Sequence, residues 1–306
     1  PYQFHKSLSL WNSGNDGMDT LRGSLLMVLA MAAFALEDMF IKSAAASLPV
    51  GQILILFGLG GMAVFAALAC AQGHAPWHPG FGTRPMLWRS LAEVVGRLCF
   101  TLAIALTPLS SASAILQATP LVVGAGAVVF FGETVGWRRW LAILVGFAGV
   151  LIILRPGVSG FEPASLFAVA GTLGFAGRDL ATRAAHVSMH NSQLGMLGFA
   201  MLAVAGVIAL GWTGLDGLGE GALTNPSVWL DVACATVIGV IAYGALTGAM
   251  RLGEISVVAP FRYTRLVFAM VLGILVFGER PDTLTLIGSA VIVASGVFTL
   301  IRSRKA

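Results

Sequence analysis

The chain has 306 residues, of which 57% are hydrophobic and only 10% are charged, with a formal net charge of +4. About a quarter of the residues of a soluble globular domain are charged, so this composition excludes an ordinary soluble fold. The apolar residues fall in blocks of about twenty, the length that crosses a bilayer as a helix. The composition predicts a polytopic protein of the lipid bilayer, with no signal for nucleic-acid binding.

The predicted elements begin after residues 1–20, which contain no long apolar run and are expected to form a tail outside the fold. Ten segments, each long enough to span a membrane, follow in chain order. They lie at 21–43, 50–71, 86–107, 110–131, 137–155, 163–184, 193–212, 227–250, 255–277 and 283–301. Residues 303–306 are expected to form a short C-terminal tail.

The distribution of Lys and Arg predicts the orientation. If the N-terminus is inside, most basic residues between spans also lie inside, Arg138 and Arg139 among them. The longest outer segment, WTGLDGLGEGALTNPS, is acidic. Both termini are therefore expected on the cytoplasmic side.

An internal repeat divides the chain. FALEDMFIKSAAASLPVGQ, which starts at Phe34, aligns without gaps on FAGRDLATRAAHVSMHNSQ, which starts at Phe175. This alignment pairs Asp38 with Asp179. Farther along each half, FFGE matches VFGE. The matches predict a duplicated unit of five helices.

Five is an odd number of spans, so the second unit enters the membrane from the opposite side. The fold class is therefore predicted to be an all-α integral membrane protein whose ten transmembrane helices form two inverted-topology five-helix repeats, 21–155 and 156–302. Inverted halves related by a pseudo-two-fold axis in the membrane plane recur in secondary transporters. The architecture predicts alternating access.

The two repeats, each with Gly-Glu after its fourth helix (Gly132-Glu133 and Gly278-Glu279), resemble the drug/metabolite transporter superfamily, specifically its EamA-domain branch. The resemblance covers residues 21 to 302. Within that branch the chain looks most like bacterial inner-membrane exporters of amino acids, including the aromatic amino-acid group. The resemblance implies a location in the bacterial inner membrane. It also implies a cavity near the midplane, lined mainly by the first, third, fourth, sixth, eighth and ninth helices.

Ionisable side chains inside spans cost roughly 2.5–3.5 kcal/mol each on insertion scales, which makes them functional candidates. The candidates are Glu37, Asp38, Glu93, Arg97, Arg178, Asp179, Arg262 and Arg265. Because acids and arginines are equal in number, we expect them to pair with one another.

Two of these acids have a basic residue one helical turn later. Asp38 and Lys42 stand at i,i+4, as do Asp179 and Arg183, and the acid comes first, which is the favourable order for an ion pair within a helix. Both halves keep the spacing. The favoured interpretation is a structural pair at each helix end, and the alternative is a pair of gates that open in turn.

Glu93 and Arg97 share one face of the third span, and the corresponding part of the eighth span has no charge. Such asymmetry suits a site for an asymmetric substrate. The alternative is an internal Glu93–Arg97 ion pair that faces a neighbouring helix. Both interpretations stay open.

Arg262 and Arg265 share a face of the ninth span by their i,i+3 spacing, and Tyr263 stands beside that face. A guanidinium binds a carboxylate through two hydrogen bonds. The arginines are expected to hold either the carboxylate of an amino-acid substrate or a wall residue such as Glu93, the second being slightly favoured.

The polar residues Gln117 and Thr119 of the fourth span are expected to line the same cavity. Four positions are candidate hinges: Pro120, Pro260, Gly244 and Gly248. The prolines free backbone groups and kink helices. The two glycines also fit a small-xxx-small packing seam, which is the favoured interpretation for them.

No metal or cofactor is predicted. His74 and His78, like His186 and His190, stand four apart, but no Cys or carboxylate completes a ligand set. There is no Walker Gly-Lys-Ser/Thr sequence, so ATP hydrolysis is not expected.

Two function classes remain. The first is a secondary carrier that exports amino acids or similar small metabolites, with another metabolite, nucleoside-like or cofactor-like, as the runner-up cargo. The second is an integral-membrane enzyme on a lipid-linked substrate, for which charges at one interface would be expected. The charges here are spread over both halves, which favours the carrier. A monomer is expected to suffice, because one chain holds both halves.

Overall fold

The computed structural model describes residues 2–131, 137–155, 162–183, 189–213, 226–252 and 259–303. Every regular element in these ranges is a helix. The α-helices are α1 Tyr2–Ala45, α2 Val50–Ala71, α3 Arg84–Leu106, α4 Leu109–Leu116, α5 Thr119–Phe131, α6 Trp137–Leu154, α7 Ser165–Arg183, α8 Asn191–Thr213, α9 Pro226–Leu252, α10 Thr264–Phe277 and α11 Thr283–Ser303. Short 3₁₀ segments at Pro79–Gly82 and Ala259–Tyr263 precede α3 and α10.

Several helices have the length and composition of membrane spans. Within the described ranges five qualify clearly: Leu21–Ala45, Val50–Ala71, Leu109–Phe130, Asn191–Trp212 and Pro226–Ala249. Trp140–Leu154 and Thr283–Phe298 are shorter apolar helices. The prediction of an all-α, multi-pass membrane protein is confirmed, whereas the count of ten spans stays a prediction.

The first helix extends beyond the first predicted span. α1 begins at Tyr2, so residues 2–20, expected to form a tail, are helical. Their exclusion from the fold stays a prediction, as does the division of the chain at residues 155 and 302.

The predicted fourth span is broken into two helices. α4 ends at Leu116, α5 begins at Thr119, and the Thr119 hydroxyl donates to the Leu116 carbonyl over 2.6 Å. Pro120 lies in the first turn of α5, where its missing N–H needs no intrahelical partner. The predicted span over 110–131 thus corresponds to the candidate span Leu109–Phe130, interrupted by a turn at residues 117–118. Pro120 sits at a helix break, as a hinge would.

The predicted ninth span changes helix type near Pro260. The 3₁₀ segment Ala259–Tyr263 runs directly into α10. Residues 253–258 lie outside the described ranges, so the predicted start at residue 255 stays a prediction. Both broken helices thus have a proline close to the irregular point.

The most extensive helix contacts join the two halves. α1 packs on α9, α2 on α8, α3 on α7, and α6 on α11. In repeat terms, the first helix of each half packs on the third helix of the other, the second packs on the second, and the fifth on the fifth. This pattern is unchanged when the halves are exchanged, as a two-fold relation requires.

The paired helices run antiparallel. In the α1–α9 pair, the Ser43 hydroxyl donates to Asp231 near the start of α9 over 2.7 Å. Near the end of α9, a Cβ at Gly248 would lie 3.5 Å from the side chain of Leu26. The contacts of the other three pairs also run in opposite directions. Antiparallel pairing across the halves is the arrangement that inverted repeats require.

Glycines allow two of these pairs to approach closely. A Cβ at Gly58 of α2 would lie 2.5 Å from the backbone nitrogen of Ala203 in α8. A Cβ at Gly174 of α7 would lie 2.4 Å from the backbone nitrogen of Gly96 in α3. Any side chain at these positions would push the helices apart, so the halves are held together by backbone-to-backbone packing.

The predicted packing seam at Gly244 and Gly248 is not tight. A Cβ at Gly244 would have no neighbour within 4 Å among the described residues, and one at Gly248 would make only an ordinary contact with Leu26. The prediction of a close helix approach at these two glycines is therefore wrong. Their role as hinges stays a prediction.

The molecule has an apolar exterior as well as an apolar core. Large side chains such as Phe57, Phe100 and Phe199 are buried between helices. Others, including Leu144 and Leu275, are more than half exposed. An exposed apolar surface of this extent is unfavourable in water and suits contact with lipid tails.

Candidate functional site

A polar cavity of about 360 Å³ lies between the two halves. This volume falls in the range of small-molecule sites. Its walls come from α1, α3, α7, α8 and α9, from both sides of the α4–α5 break, and from the 3₁₀ segment with α10. All six spans named by the family resemblance contribute to the walls. The helix α8, which is the seventh predicted span, is an addition to that set.

The cavity brings together most of the predicted site residues. Its lining includes Glu93, Arg97, Gln117, Thr119, Pro120, Asp179, Arg262 and Arg265. Aromatic side chains from both halves also line it: Phe34, Phe175, Phe199 and Tyr243.

Tyr263 is placed differently from its prediction. Its side chain is 5% exposed and does not line the cavity. Its hydroxyl lies against Gly296, at a point where any side chain on that glycine would collide with it. Since Tyr263 directly follows Arg262, its side chain leaves the helix in a different direction. The prediction of Tyr263 as a cavity residue is wrong.

Asp38 binds Arg265 and not Lys42. Arg265 Nη2 lies 2.5 Å from Asp38 Oδ2, and the carboxylate is almost fully buried. Lys42 instead donates to the carbonyls of Ile104 and Thr107, over 3.0 and 2.6 Å. The predicted Asp38–Lys42 pair is therefore wrong, because each side chain has a partner on another helix.

Arg265 also rests on aromatic rings. Its guanidinium carbon lies 5.1 Å from the ring centre of Phe34 and 5.6 Å from that of Phe100, within cation–π distance. The carboxylate of Asp38 and the two rings together hold the guanidinium in one place at the cavity wall.

Arg97 connects two acids. Arg97 Nη1 donates to Glu37 Oε1 over 2.9 Å, and Arg97 Nε lies 3.7 Å from Glu93 Oε1. Glu37 is fully buried. The predicted Glu93–Arg97 contact exists, but the shorter contact is to Glu37 on α1, so Arg97 links α3 to the first helix.

Arg178 joins the same network from the second half. Its Nε and Nη2 donate to Asp179 Oδ1 over 3.0 and 2.9 Å, and its Nη1 lies 3.3 Å from Glu93 Oε1. The guanidinium carbon lies 4.9 Å from the ring centre of Phe175. Arg178 therefore connects α7 to α3.

Arg262 binds the other aspartate, more loosely than Arg265 binds Asp38. Arg262 Nη2 lies 3.8 Å from Asp179 Oδ2. The hypothesis that Arg262 and Arg265 hold Glu93 is wrong, because their partners are the two repeat-related aspartates. The side chain of Arg183 lies outside the described residues, so its predicted pairing with Asp179 stays a prediction.

Gln117 supports the 3₁₀ segment. Its Nε2 donates to the backbone carbonyls of Arg262 and Tyr263, over 3.2 and 3.3 Å. These bonds satisfy carbonyl groups at the irregular point and connect it to the break between α4 and α5.

Arg89 is a cavity residue that was not among the predicted site residues. It is 3% exposed, its Nε donates to Thr182 Oγ1 over 3.1 Å, and its Nη2 lies 3.9 Å from Glu93 Oε2. The i, i+4, i+8 spacing of Arg89, Glu93 and Arg97 on α3 carried the signal. With Arg89 included, the described residues of the cavity region comprise five arginines against the acids Glu37, Asp38, Glu93 and Asp179.

A cluster of polar contacts joins the helices on one side of the molecule. Glu279 accepts hydrogen bonds from the backbone nitrogens of Leu109 and Ser110, over 2.6 and 3.0 Å, and from the Ser110 hydroxyl over 2.8 Å. A carboxylate at the start of α4 also complements the helix dipole. Lys42 lies 3.7 Å from the same carboxylate. We call this side of the molecule, at Lys42, Leu109 and Glu279, the closed face.

One end of the cavity reaches the surface. Thr182 at the end of α7 is exposed, Asn191 at the start of α8 is half-buried, and both line the cavity. We call this side, at Thr182 and Asn191, the open face. Residues of the open face therefore line the cavity, whereas Lys42, Leu109 and Glu279 of the closed face do not.

A depression of about 280 Å³ lies on the closed face. Arg155 and Asp282 form an ion pair there, and the backbone nitrogen of Thr285 donates to Asp282 over 2.9 Å. The hydrogen bonds from Arg155 and Thr285 lower the pKa of Asp282 to about 2. Asp282 thus ties the end of α6 to the start of α11.

One histidine contact joins residues that are far apart in the sequence, not two histidines four residues apart. The rings of His74 and His190 stack with centres 3.6 Å apart, and His78 accepts a hydrogen bond from the backbone nitrogen of Gly80. His186 lies outside the described ranges. Among the described residues no group of three or more His, Cys, Asp or Glu side chains is placed to hold a metal ion.

A polar cavity between two inverted halves of a multi-pass membrane protein is the architecture of secondary transporters. The chain belongs to the EamA-like transporter family, which matches residues 21–155 and 163–301. The resemblance to the EamA-domain branch of the drug/metabolite transporter superfamily is therefore confirmed, and the chain is a membrane transporter of this type.

Three relatives are named for different substrates. The pseudopaline exporter CntI of Pseudomonas aeruginosa is 29% identical over 293 residues, covering 94% of this chain and 99% of that protein. The riboflavin transporter of Vibrio cholerae is 28% identical over 91% of this chain and 92% of that protein. The S-adenosylmethionine uptake transporter of Rickettsia bellii is 28% identical over 71% of this chain and 72% of that protein. These names do not support the finer resemblance to amino-acid exporters.

A solved crystal structure has the same fold. It superposes with a TM-score of 0.62 at 18% sequence identity, covering 91% of this chain and 98% of that chain. At this identity the match shows the fold alone.

Proposed function

We propose that this protein is a secondary transporter that exports amino acids or closely related small metabolites across the bacterial inner membrane by alternating access. The observation that carries the proposal is the charged cavity between the inverted halves, which is lined by residues of the open face and by none of the three residues that define the closed face. A secondary transporter must offer its site to one side of the membrane at a time.

The proposed orientation indicates from which side of the membrane the cavity is open in this conformation. If both termini are cytoplasmic, as the Lys and Arg distribution predicts, the open face is cytoplasmic and the site loads from inside the cell. Release requires the contacts of Glu279 with Lys42 and α4 to break while the open face seals. Exchange of the conformations of the two halves supplies such a transition.

The charges of the wall favour a zwitterionic cargo. An amino acid carries one ammonium and one carboxylate, and the wall offers both carboxylates and guanidiniums. The Arg262–Asp179 contact is long at 3.8 Å, and Arg262 is partly exposed. A substrate could replace such a contact with little loss of direct interaction.

A cofactor-like metabolite is the second candidate cargo. The names of the relatives, which include S-adenosylmethionine and riboflavin, favour it. The aromatic side chains Phe34, Phe175 and Tyr243 around the cavity offer surfaces on which a flat ring system can stack.

The test is efflux from proteoliposomes loaded with a mixture of labelled amino acids, S-adenosylmethionine and riboflavin. The released compounds are identified by mass spectrometry. We expect selective, faster release of one or a few unmodified compounds, and its loss in Arg265→Ala and Glu93→Ala proteins that still insert. Release of riboflavin alone would overturn the amino-acid assignment. A change in mass would favour the enzyme hypothesis.

A further inference from the structure

Arg89 is the buried arginine of the cavity with the weakest pairing. The nearest acid to Arg265 is Asp38 at 2.5 Å, that to Arg97 is Glu37 at 2.9 Å, and that to Arg178 is Asp179 at 2.9 Å. Among the described acids, the only one within 4 Å of the Arg89 guanidinium is Glu93, at 3.9 Å, and Asp179 lies farther away.

Glu93, the closest acid to Arg89 in the described part of the chain, is shared. Glu93 also lies 3.7 Å from Arg97 and 3.3 Å from Arg178, so a single negative charge serves three guanidiniums. The Nη1 atom of Arg89 is buried and has no hydrogen-bond partner. A buried charged donor left without a partner is strongly unfavourable, so an anion in the cavity would be bound tightly at this point.

Arg89 faces the cavity near its accessible end. It lines the cavity together with Thr182 and Asn191 of the open face. Its Nε is already fixed by the Thr182 hydroxyl and its Nη1 is buried, so Nη2 is the nitrogen that a ligand in the cavity would meet first. Guanidinium nitrogens bind carboxylates in a planar, two-bond geometry that a neutral group cannot reproduce.

We propose that Arg89 binds the carboxylate of the transported compound, with Glu93 beside it as the acceptor for an adjacent ammonium group. The two side chains stand at i,i+4 on one face of α3, so an α-amino carboxylate would meet both. The inference rests on the proposed function and deepens it, since it names the substrate class as α-amino carboxylates.

The geometry also leaves room for a larger substituent. Arg97 lies two helical turns farther along α3, about 12 Å from Arg89 at 1.5 Å per residue. Phe34 and Phe175 line the same cavity, and the ring centre of Phe175 lies 5.7 Å from the Arg97 guanidinium carbon. A compound that anchors its α-amino carboxylate at Arg89 can therefore extend an apolar or aromatic group into the closed end of the cavity. An aromatic amino acid and S-adenosylmethionine both have this form, and riboflavin has no carboxylate.

The test compares each acid with its own carboxamide. Binding of L-phenylalanine, L-methionine and S-adenosylmethionine, and of the carboxamide of each, is measured calorimetrically on the purified full chain, with riboflavin as a carboxylate-free probe. We expect at least one acid to bind about tenfold or more tightly than its amide, the effect of a charge-assisted hydrogen bond. Arg89→Gln should remove this ratio by weakening the acid and sparing the amide.

Two further variants separate recognition from folding. Arg84→Gln removes an exposed arginine of the same helix and should leave the ratio unchanged. Arg89→Lys keeps the charge without the planar fork and should retain a reduced preference for the acid. Thermal unfolding shows whether Arg89→Gln is folded. If it is not, the proposal is judged on the ratio of acid binding to amide binding in the wild-type protein and in Arg89→Lys.

The outcomes distinguish the two proposals. Equal binding of acids and amides by the wild-type protein, or equal weakening of both by Arg89→Gln, overturns the role of Arg89. If the proteoliposomes nevertheless release an amino acid or riboflavin, the transport function stands without this anchor. If no probe binds and none is released, both proposals fall.

Discussion

α1 and α7 occupy the same place in the two repeats, and a comparison of them separates scaffold from site. Phe34 and Phe175 are equivalent positions, and each supports a guanidinium at about 5 Å from its ring centre, Arg265 and Arg178 respectively. The aromatic support is therefore a shared feature of the inverted halves, whereas the charges beside it are not.

Glu37 and Arg178 each lie three residues after these phenylalanines. They have opposite charges, yet both bind α3. Glu37 pairs with Arg97 and Arg178 with Glu93, and both partners lie on α3. The first contact lies within the first half and the second joins the two halves, so equivalent positions of the repeat carry opposite charges and make different contacts. An asymmetric cavity arises from a symmetric fold in this way, which is what recognition of an asymmetric small molecule requires.

The largest expected effect comes from Arg265→Ala, which leaves Asp38 buried without its cation. Removal of one partner of a buried ion pair costs about 3–5 kcal/mol, so the free energy of unfolding should fall by that order and transport should be lost. Thermal unfolding in detergent measures the first effect and efflux the second. The Asp38→Asn, Arg265→Gln double variant should regain much of the stability; if it is as unstable as the single variant, the pair is not the cause.

The comparison of Glu37 with Arg178 is tested by the change in unfolding free energy in Glu37→Gln and in Arg178→Gln. Glu37 is fully buried, so its loss should cost about 1.5–3 kcal/mol. Arg178 is 19% exposed, and Asp179 keeps Arg262 nearby, so its loss should cost about 1 kcal/mol. Equal or reversed changes in the unfolding free energy would show that burial does not rank these contacts.

Glu279→Gln should loosen the closed face, because the charge that holds Lys42 and the start of α4 is removed. Ser113 is fully buried and lies one turn after Ser110 on α4. A cysteine introduced at Ser113, in a chain without Cys70, Cys99 and Cys234, reports the opening. We expect its reaction with a membrane-impermeant thiol reagent to accelerate about tenfold. Glu162→Gln, an exposed acid of the same depression, is the control. An unchanged rate in Glu279→Gln would rule out this seal.

The smallest effect is expected for Asp282→Asn. The pKa of Asp282 is lowered in the folded protein to about 2, so its contribution to stability is present above the ordinary pKa of about 4 and is lost as the pH falls through 2. The site is half exposed, so the loss should be at most about 1 kcal/mol. The difference in unfolding temperature between wild type and variant should shrink below pH 4, and a constant difference would argue against the ion pair.

The sequence was a good guide to features that repeat or recur along the chain. The all-helical class followed from composition, and the equivalence of Phe34 with Phe175 and of Asp38 with Asp179 followed from the alignment. The gathering of Glu93, Arg97 and Arg265 around one cavity followed from the cost of placing charges in spans.

Partners across helices were not predictable in the same way. Spacing of i,i+4 shows that Asp38 and Lys42 can meet within one helix, but not that α10 offers Asp38 a closer cation. The direction of Tyr263 depended on the 3₁₀ geometry of its segment, which hydropathy does not reveal. Arg89 was missed as a site residue because its lack of a close acid is visible only once every other pair is assigned.

The central claim is that the cavity is accessible from one side of the membrane at a time, and thiol accessibility tests it most directly. Single cysteines at Thr182 and Ser113 are placed in the chain without its native cysteines, and an impermeant reagent is applied to either side of sealed vesicles. We predict that Thr182→Cys reacts from the cytoplasmic side and Ser113→Cys from the opposite side, and that the transported compound slows one reaction while it accelerates the other. Free reaction of both positions from the same side, or rates that ignore the compound, would contradict alternating access.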